Sequence, residues 1–209
     1  MAVKSHLEAG VMETFMKCLL LVLVDPAPTL EEELNDWYDL EHLPERAALP
    51  GFETAQRYTS LGDGPRYAAF YDLTNFDALQ SDGYLAVSGK NFSPWTVRVT
   101  SRAHPVRLVA QQTSSEGAVT GPCSRLLLLK FANSTADDQA SIKAGLEASF
   151  GSSPGLLKSR VFAGVEPQAN FMLAVAEFAG TDVPPLAVKA FGRCGPRIEL
   201  AATYRPYRG

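Results

Sequence analysis

A chain of 209 residues, 46% hydrophobic and 20% charged, has the composition of one large globular domain or two small ones, with enough apolar material for a core. Its net charge of −4 and pI near 5.4 provide no basic surface for nucleic acid or an anionic membrane, so neither partner is expected. Three scattered cysteines (Cys18, Cys123, Cys194) and three scattered histidines (His6, His42, His104) make neither a disulfide framework nor a zinc knuckle. A reduced, cytoplasmic, metal-free protein is the expectation.

In chain order, residues 1–15 read as an N-terminal extension. The run Cys18–Val24 is apolar at every position. It is far shorter than the roughly 20 residues a spanning helix needs, and Asp25-Pro26 stands where a small-residue cleavage site would lie. It reads as a buried strand. A helix follows over 29–43, opened by a capping box at Thr29-Leu-Glu-Glu32 and stopped by Pro44. Strands at 52–60 and 66–73 are joined by the turn Gly62-Asp63-Gly64-Pro65. A short second helix starts near Asn75, and a last strand falls at 105–111. After a polar linker at 113–121 the order recurs: strand 124–131, helix 135–149, strands 156–163 and 170–178, a short helix near Thr181, and strand 199–205.

The recurrence has landmarks. Pro50-Gly51-Phe52 matches Pro154-Gly155-Leu156, and Tyr67–Leu73 matches Phe171–Glu177 at the same offset. Each half is therefore a β-α-β-β-α-β ferredoxin-like unit: repeat 1 over 16–112, which carries the motif described next, and a degenerate repeat 2 over 122–209. Strands 18–24 and 126–129 are apolar on both faces, so both faces must be buried. Helices cover only one face of such a sheet. The economical solution is an α+β fold in which the two four-stranded sheets pack around a shared interior, an intrachain barrel.

The stretch Asn35-Asp-Trp37-Tyr38-Asp-Leu-Glu41-His42-Leu43-Pro44-Glu-Arg46, with Pro50-Gly51-Phe52 and Arg57-Tyr58 after it, resembles the helix-1 and strand-2 signature of EthD-like proteins of the dimeric α+β-barrel superfamily. The shared pattern is an aromatic pair on the helix, a His-x-Pro at its end, and Pro-Gly plus an apolar residue opening the strand. The resemblance implies the barrel fold and a ligand pocket between sheet and helices. Relatives include cofactor-independent oxygenases, cyclases, isomerases, dehydratases and haem enzymes, and fold does not choose among them. The stretch Ile142–Phe150 carries no His, Trp or Tyr, so one site per chain is expected.

On a helical wheel Leu30, Leu34, Trp37 and Glu41 share an arc of about 60°, with Tyr38 beside them. The functional reading makes His42 an acid/base oriented by Glu41 and Tyr38, with Trp37, Arg57, Tyr58 and Tyr71 lining the substrate. The structural reading has Glu41 pairing with Arg46 or Arg57, His42 capping the helix C-terminus, Trp37 in the core and Arg57 in a surface pair with Glu53. Simple alternation puts Phe52, Thr54, Gln56 and Tyr58 on one strand face, and Tyr67, Ala69 and Tyr71 together on the next. His104-Pro105 carries no surrounding haem signature, and no cofactor is expected. The function expected is a cofactor-independent enzyme acting on a small hydrophobic or aromatic carbonyl compound. The alternative is a non-catalytic small-molecule-binding or assembly module. The partner expected is a small-molecule ligand, with association into a homodimer left open.

Overall fold

The structure, a computed structural model, describes residues 16–113, 118–165, 167 and 169–209. The expected extension at 1–15 and the middle of the linker lie outside them. Among the described residues there are eight antiparallel strands: β1 (Cys18–Val24), β2 (Gln56–Ser60), β3 (Tyr67–Leu73), β4 (Val106–Gln112), β5 (Arg125–Ala132), β6 (Leu156–Gly164), β7 (Phe171–Phe178) and β8 (Ile198–Pro206). They close in the order β1-β3-β2-β8-β5-β7-β6-β4, which returns to β1. Each half thus arranges its strands identically, with β1 and β3 central in one and β5 and β7 central in the other. The sheets do more than face each other. Their edges pair over three residues at each seam, β2 with β8 and β4 with β6, so the barrel closes within one chain.

Alternation along the strands divides the apolar residues between three clusters. Leu19, Leu21, Phe70, Leu128, Phe162 and Leu173 fill the barrel interior. Leu20, Val24, Ala69 and Tyr71 face outward beneath the helices of the first half. Leu129, Phe131, Val161 and Met172 face outward under α5 (Gln139–Phe150) in the second. The central strands read as continuous apolar runs because both their faces are covered.

One end of the barrel is polar and plugged by the linker. Buried Arg160 donates to Asp72 Oδ1 at 2.5 Å and sits 3.4 Å from Glu177 Oε1. It also donates to the Thr120 hydroxyl and the Ala118 carbonyl. The Thr120 N–H donates to Asp72, and the Gly121 N–H to Glu177. Burial pushes the Asp72 carboxyl up, but the Arg160 charge and the bonds from Thr120, Thr54 and Arg160 together hold it below its ordinary value. At Glu177 burial wins over its Gly121, Arg160 and Lys158 contacts, and the carboxyl is raised.

Several local expectations are corrected. The capping box at Thr29 does not form: the N-cap lies two residues earlier, at Ala27, with Pro28 at the first helical position and the Leu30 N–H bonded to the Ala27 carbonyl. The helix is not stopped by Pro44 but runs on to Ala47. No α-helix starts near Thr181, where Pro184 and Pro185 withhold backbone N–H groups; a 3-10 segment begins only at Val188. The matched landmarks Tyr67 and Phe171 lie on opposite faces of their sheets, one under the helices and one in the barrel. The register instead makes Asp72 and Glu177 equivalent, since each lies across from an inward leucine of the central strand, Leu19 or Leu126.

Candidate functional site

The site is built by one irregular helix. A 3-10 turn (Pro28–Leu30) leads into α1 (Glu31–Trp37), then a π-turn (Tyr38–His42), then α2 (Leu43–Ala47). The Leu43 N–H bonds five residues back, to the Tyr38 carbonyl. This wider turn stands where the Pro44 ring would otherwise meet the Leu40 carbonyl, so the helix continues past the proline. It also resets the faces. In a regular α-helix residues five apart point about 140° away from each other. Here the rings of Trp37 and His42 stack, with centroids 4.3 Å apart and planes 27° apart. Tyr38 and Tyr71 meet the imidazole edge-on at 5.4 and 6.4 Å.

Hydrogen bonds fix this arrangement from behind. The Trp37 indole donates to Thr96 Oγ1 at 3.0 Å, and Thr96 in turn donates to Glu41 Oε1 at 2.9 Å. Ser93, the N-cap of the helix α4 (Pro94–Ala103), donates to the same oxygen at 2.5 Å. Glu41 therefore ties the two helices together; it does not contact His42, nor does it pair with Arg46 or Arg57. Arg57 is buried and lies behind Tyr38, stacked over the Tyr38 ring at 4.2 Å and the Tyr207 ring at 4.1 Å. It bonds Asp39 at 3.1 Å and Asn35 at 2.7 Å, while Glu53 pairs with Lys17 instead.

Between the outer sheet face and these helices lies a cavity of about 100 Å³. Leu20, Val22 and Tyr71 form its floor, and Trp37, Tyr38 and His42 one wall. Tyr84 and Phe92, from the connection between β3 and α4, cover it. Among the described residues no carboxylate lines it. Three buried polar atoms around this cavity make no hydrogen bond: His42 Nδ1, the Tyr71 hydroxyl and Arg46 Nη1, the last 3.3 Å from the Glu45 carboxylate. Burial, reinforced by the charges of Arg46 and Arg57, pulls the His42 imidazole down to about 3, so it stays neutral. Burial pushes the Tyr38 phenol up to about 12 and the Tyr71 phenol well above its ordinary value.

The structure thus brings Trp37, Tyr38, His42 and Tyr71 to one cavity. It leaves Glu41 and Arg57 in supporting contacts behind the wall. Tyr58 lies on the other side of the sheet, inside the barrel, with its hydroxyl donating to Gln56 at 2.8 Å. Simple alternation failed there because of a bulge. The N–H groups of both Glu53 and Thr54 point to the Asp72 carbonyl, so Phe52 faces the helices while Tyr58 faces inward. The Pro-Gly-Phe landmark has its own reason: Gly51 has φ +86°, and a Cβ there would stand 2.8 Å from the Ala78 Cβ. Sequence reasoning missed Arg46, Tyr84, Phe92 and Arg107 as lining residues. Arg46 stands four residues beyond His42, a spacing that places it alongside once the helix passes Pro44.

The cavity beside His42 does not fit a haem group. His104 is exposed at the C-cap of α4 with φ 47°, and the cavity beside His42 is far smaller than a porphyrin. Among the described residues no group of three or more potential metal ligands gathers, and no helix is long and apolar enough to cross a membrane.

The fold is of the dimeric α+β-barrel type, here with the barrel closed within one chain. Solved structures bear this out. An anthrone oxidase-like protein is 14% identical, with a TM-score of 0.64 over 92% of each chain. A putative monooxygenase from Lactobacillus acidophilus NCFM is 12% identical, with a TM-score of 0.54 over 92% of this chain and 94% of its own. A chlorite dismutase variant from Candidatus Nitrospira defluvii is 8% identical, with a TM-score of 0.57 over 92% of each chain. At such identities the likeness is one of fold. No family model matches the sequence, and no curated protein does.

Proposed function

We propose that this chain is an enzyme that moves a proton on a small, apolar, carbonyl- or phenol-bearing ring compound bound in the cavity beneath α1. The observation that carries this reading is the pair of unbonded buried polar atoms, His42 Nδ1 and Tyr71 Oη, at one acid-free apolar cavity that Arg46 also lines. Each costs about 1–3 kcal/mol while unmet; a ligand carbonyl oxygen accepts from the Tyr71 hydroxyl, and a ligand hydrogen meets the His42 lone pair. An engineered cavity of about 150 Å³ holds benzene, so about 100 Å³ suits a single small ring.

The chemistry follows from the neutral imidazole. His42 accepts the proton of an acidic C–H, and the electron pair left behind moves onto the carbonyl oxygen. There the Tyr71 hydroxyl donates a hydrogen bond, and the Arg46 charge stabilises the enolate. The imidazolium then returns the proton to another carbon, giving an isomer. In an oxidase variant acting on a methylene, the carbanion takes up dioxygen, the imidazolium protonates the peroxide, and the carbon's second hydrogen leaves with the terminal hydroxyl as water, giving a new carbonyl. The names of the anthrone oxidase-like and monooxygenase-titled neighbours favour that variant. The barrel closes within the chain, so a homodimer is not needed to complete the cavity.

A second reading, a non-catalytic binding module, draws on the depth of the His42 shift: an imidazole held near 3 is a weak base. Deuterium exchange at the α-carbon of monocyclic β-diketones and phenolic ketones, followed by NMR, separates the two. Exchange by the wild type that disappears in His42→Gln supports the enzyme. Ligand binding with no exchange establishes the module.

A further inference from the structure

A second concavity, of about 600 Å³, lies on the outer surface of the seam where β2 of the first half pairs with β8 of the second. It shares no lining residue with the cavity beneath α1. Its floor is set by strand register. Arg205 stands directly across from Thr59. The pairing of Leu126 with Tyr204, both inward, places Arg125 beside Arg205 with both pointing outward. Arg66 and Arg208 line the same concavity, so four arginines border it in a chain whose net charge is −4.

Like charges side by side on neighbouring strands are destabilising unless something of opposite sign lies between them. Among the described residues no carboxylate lines the concavity. Arg66 has Glu31 at 2.7 Å, and Arg125 is bonded only to the Ser124 carbonyl; Arg205 and Arg208 form no ion pair with any described residue. The hydroxyls of Thr59, Ser124 and Thr181 add neutral donors to the same walls.

From this arrangement we infer that the seam is a binding site for a small molecule carrying a phosphate ester or diphosphate group. Guanidinium forks match phosphate oxygens two at a time, and the flanking hydroxyls bond those that remain. A diphosphate offers both the charge and the number of acceptor atoms that four arginines and three hydroxyls can use. Both halves contribute: Thr59 and Arg66 come from the first, and Arg125, Arg205 and Arg208 from the second. The site exists only because the barrel closes at this edge.

Calorimetric titration of the full chain with inorganic pyrophosphate, at constant ionic strength, tests the proposal, with succinate as the dicarboxylate arm. The expected result is one pyrophosphate per chain, weaker succinate binding, and at least a tenfold loss of pyrophosphate affinity in Arg125→Gln/Arg205→Gln. The single Arg205→Gln variant, whose side chain is exposed, is expected to lose part of the affinity and guards against misfolding of the double variant. Arg98→Gln, which removes a remote arginine paired with Glu33, is expected to leave it unchanged. Absence of binding at millimolar pyrophosphate overturns the proposal. So does affinity that survives both seam variants, or succinate binding as tight as pyrophosphate.

Discussion

The depressed basicity of His42 makes stability depend on pH in a way that one substitution can isolate. In the unfolded chain an imidazole titrates near 6.5; in the native cavity, desolvation first and the Arg46 and Arg57 charges second hold it down to about 3. Between those values the unfolded state binds a proton that the native state does not. Native stability is therefore complete above about 6.5 and falls as pH drops toward 3, by about 1.4 kcal/mol per pH unit. From pH 7.5 to 4.5 His42 alone accounts for a loss of about 2.7 kcal/mol. Asp72 and Asp138, whose carboxyls are also held low, lose stability in the same direction but below the ordinary carboxylate value of 3.8, outside this interval. His42→Gln removes the titrating group while keeping a polar side chain. Urea unfolding of both proteins at pH 7.5 and 4.5 gives four free energies, and the difference of differences is the His42 contribution. The wild type is expected to lose about 2–3 kcal/mol more than the variant. Equal losses would refute the burial of a neutral imidazole, as would an NMR titration of the His42 ring with a midpoint near 6.5.

Two further predictions concern the scaffold. Arg160→Met strands Asp72 and Glu177 inside the barrel and is expected to destabilise by about 3–5 kcal/mol at pH 7, whereas Asp72→Asn/Arg160→Met/Glu177→Gln recovers most of that loss; chemical denaturation of both variants checks it. Gly145→Ala should raise helix propensity by about 1 kcal/mol yet lower stability. Its Cβ would stand 2.3 Å from the Phe191 ring, and overpacking costs about 1–3 kcal/mol. A melting temperature equal to or above that of the wild type would show that the ring moves aside freely.

The sequence by itself determined the order of the strands and the barrel. Apolar periodicity is a local property, and a strand apolar on both faces, such as Leu19–Leu23, can only be central in a two-sided core. It also placed Trp37, Tyr38 and His42 on one helix, since their neighbours carry the amphipathic stripe. What it could not settle were features that depend on a single residue's shift in register. The bulge at Glu53 and Thr54 reversed the face of Tyr58, and one residue of slip separated Tyr67 from Phe171. The π-turn rotated His42 onto Trp37 and let the helix run on to Arg46, a choice between two backbone hydrogen-bond patterns close in energy that packing against α4 and the sheet decides. Glu41 looked poised for His42 in the linear order. Only tertiary structure brought Ser93 and Thr96, more than fifty residues away, to the same carboxylate oxygen, because hydrogen bonds form between whatever donors the fold sets within reach.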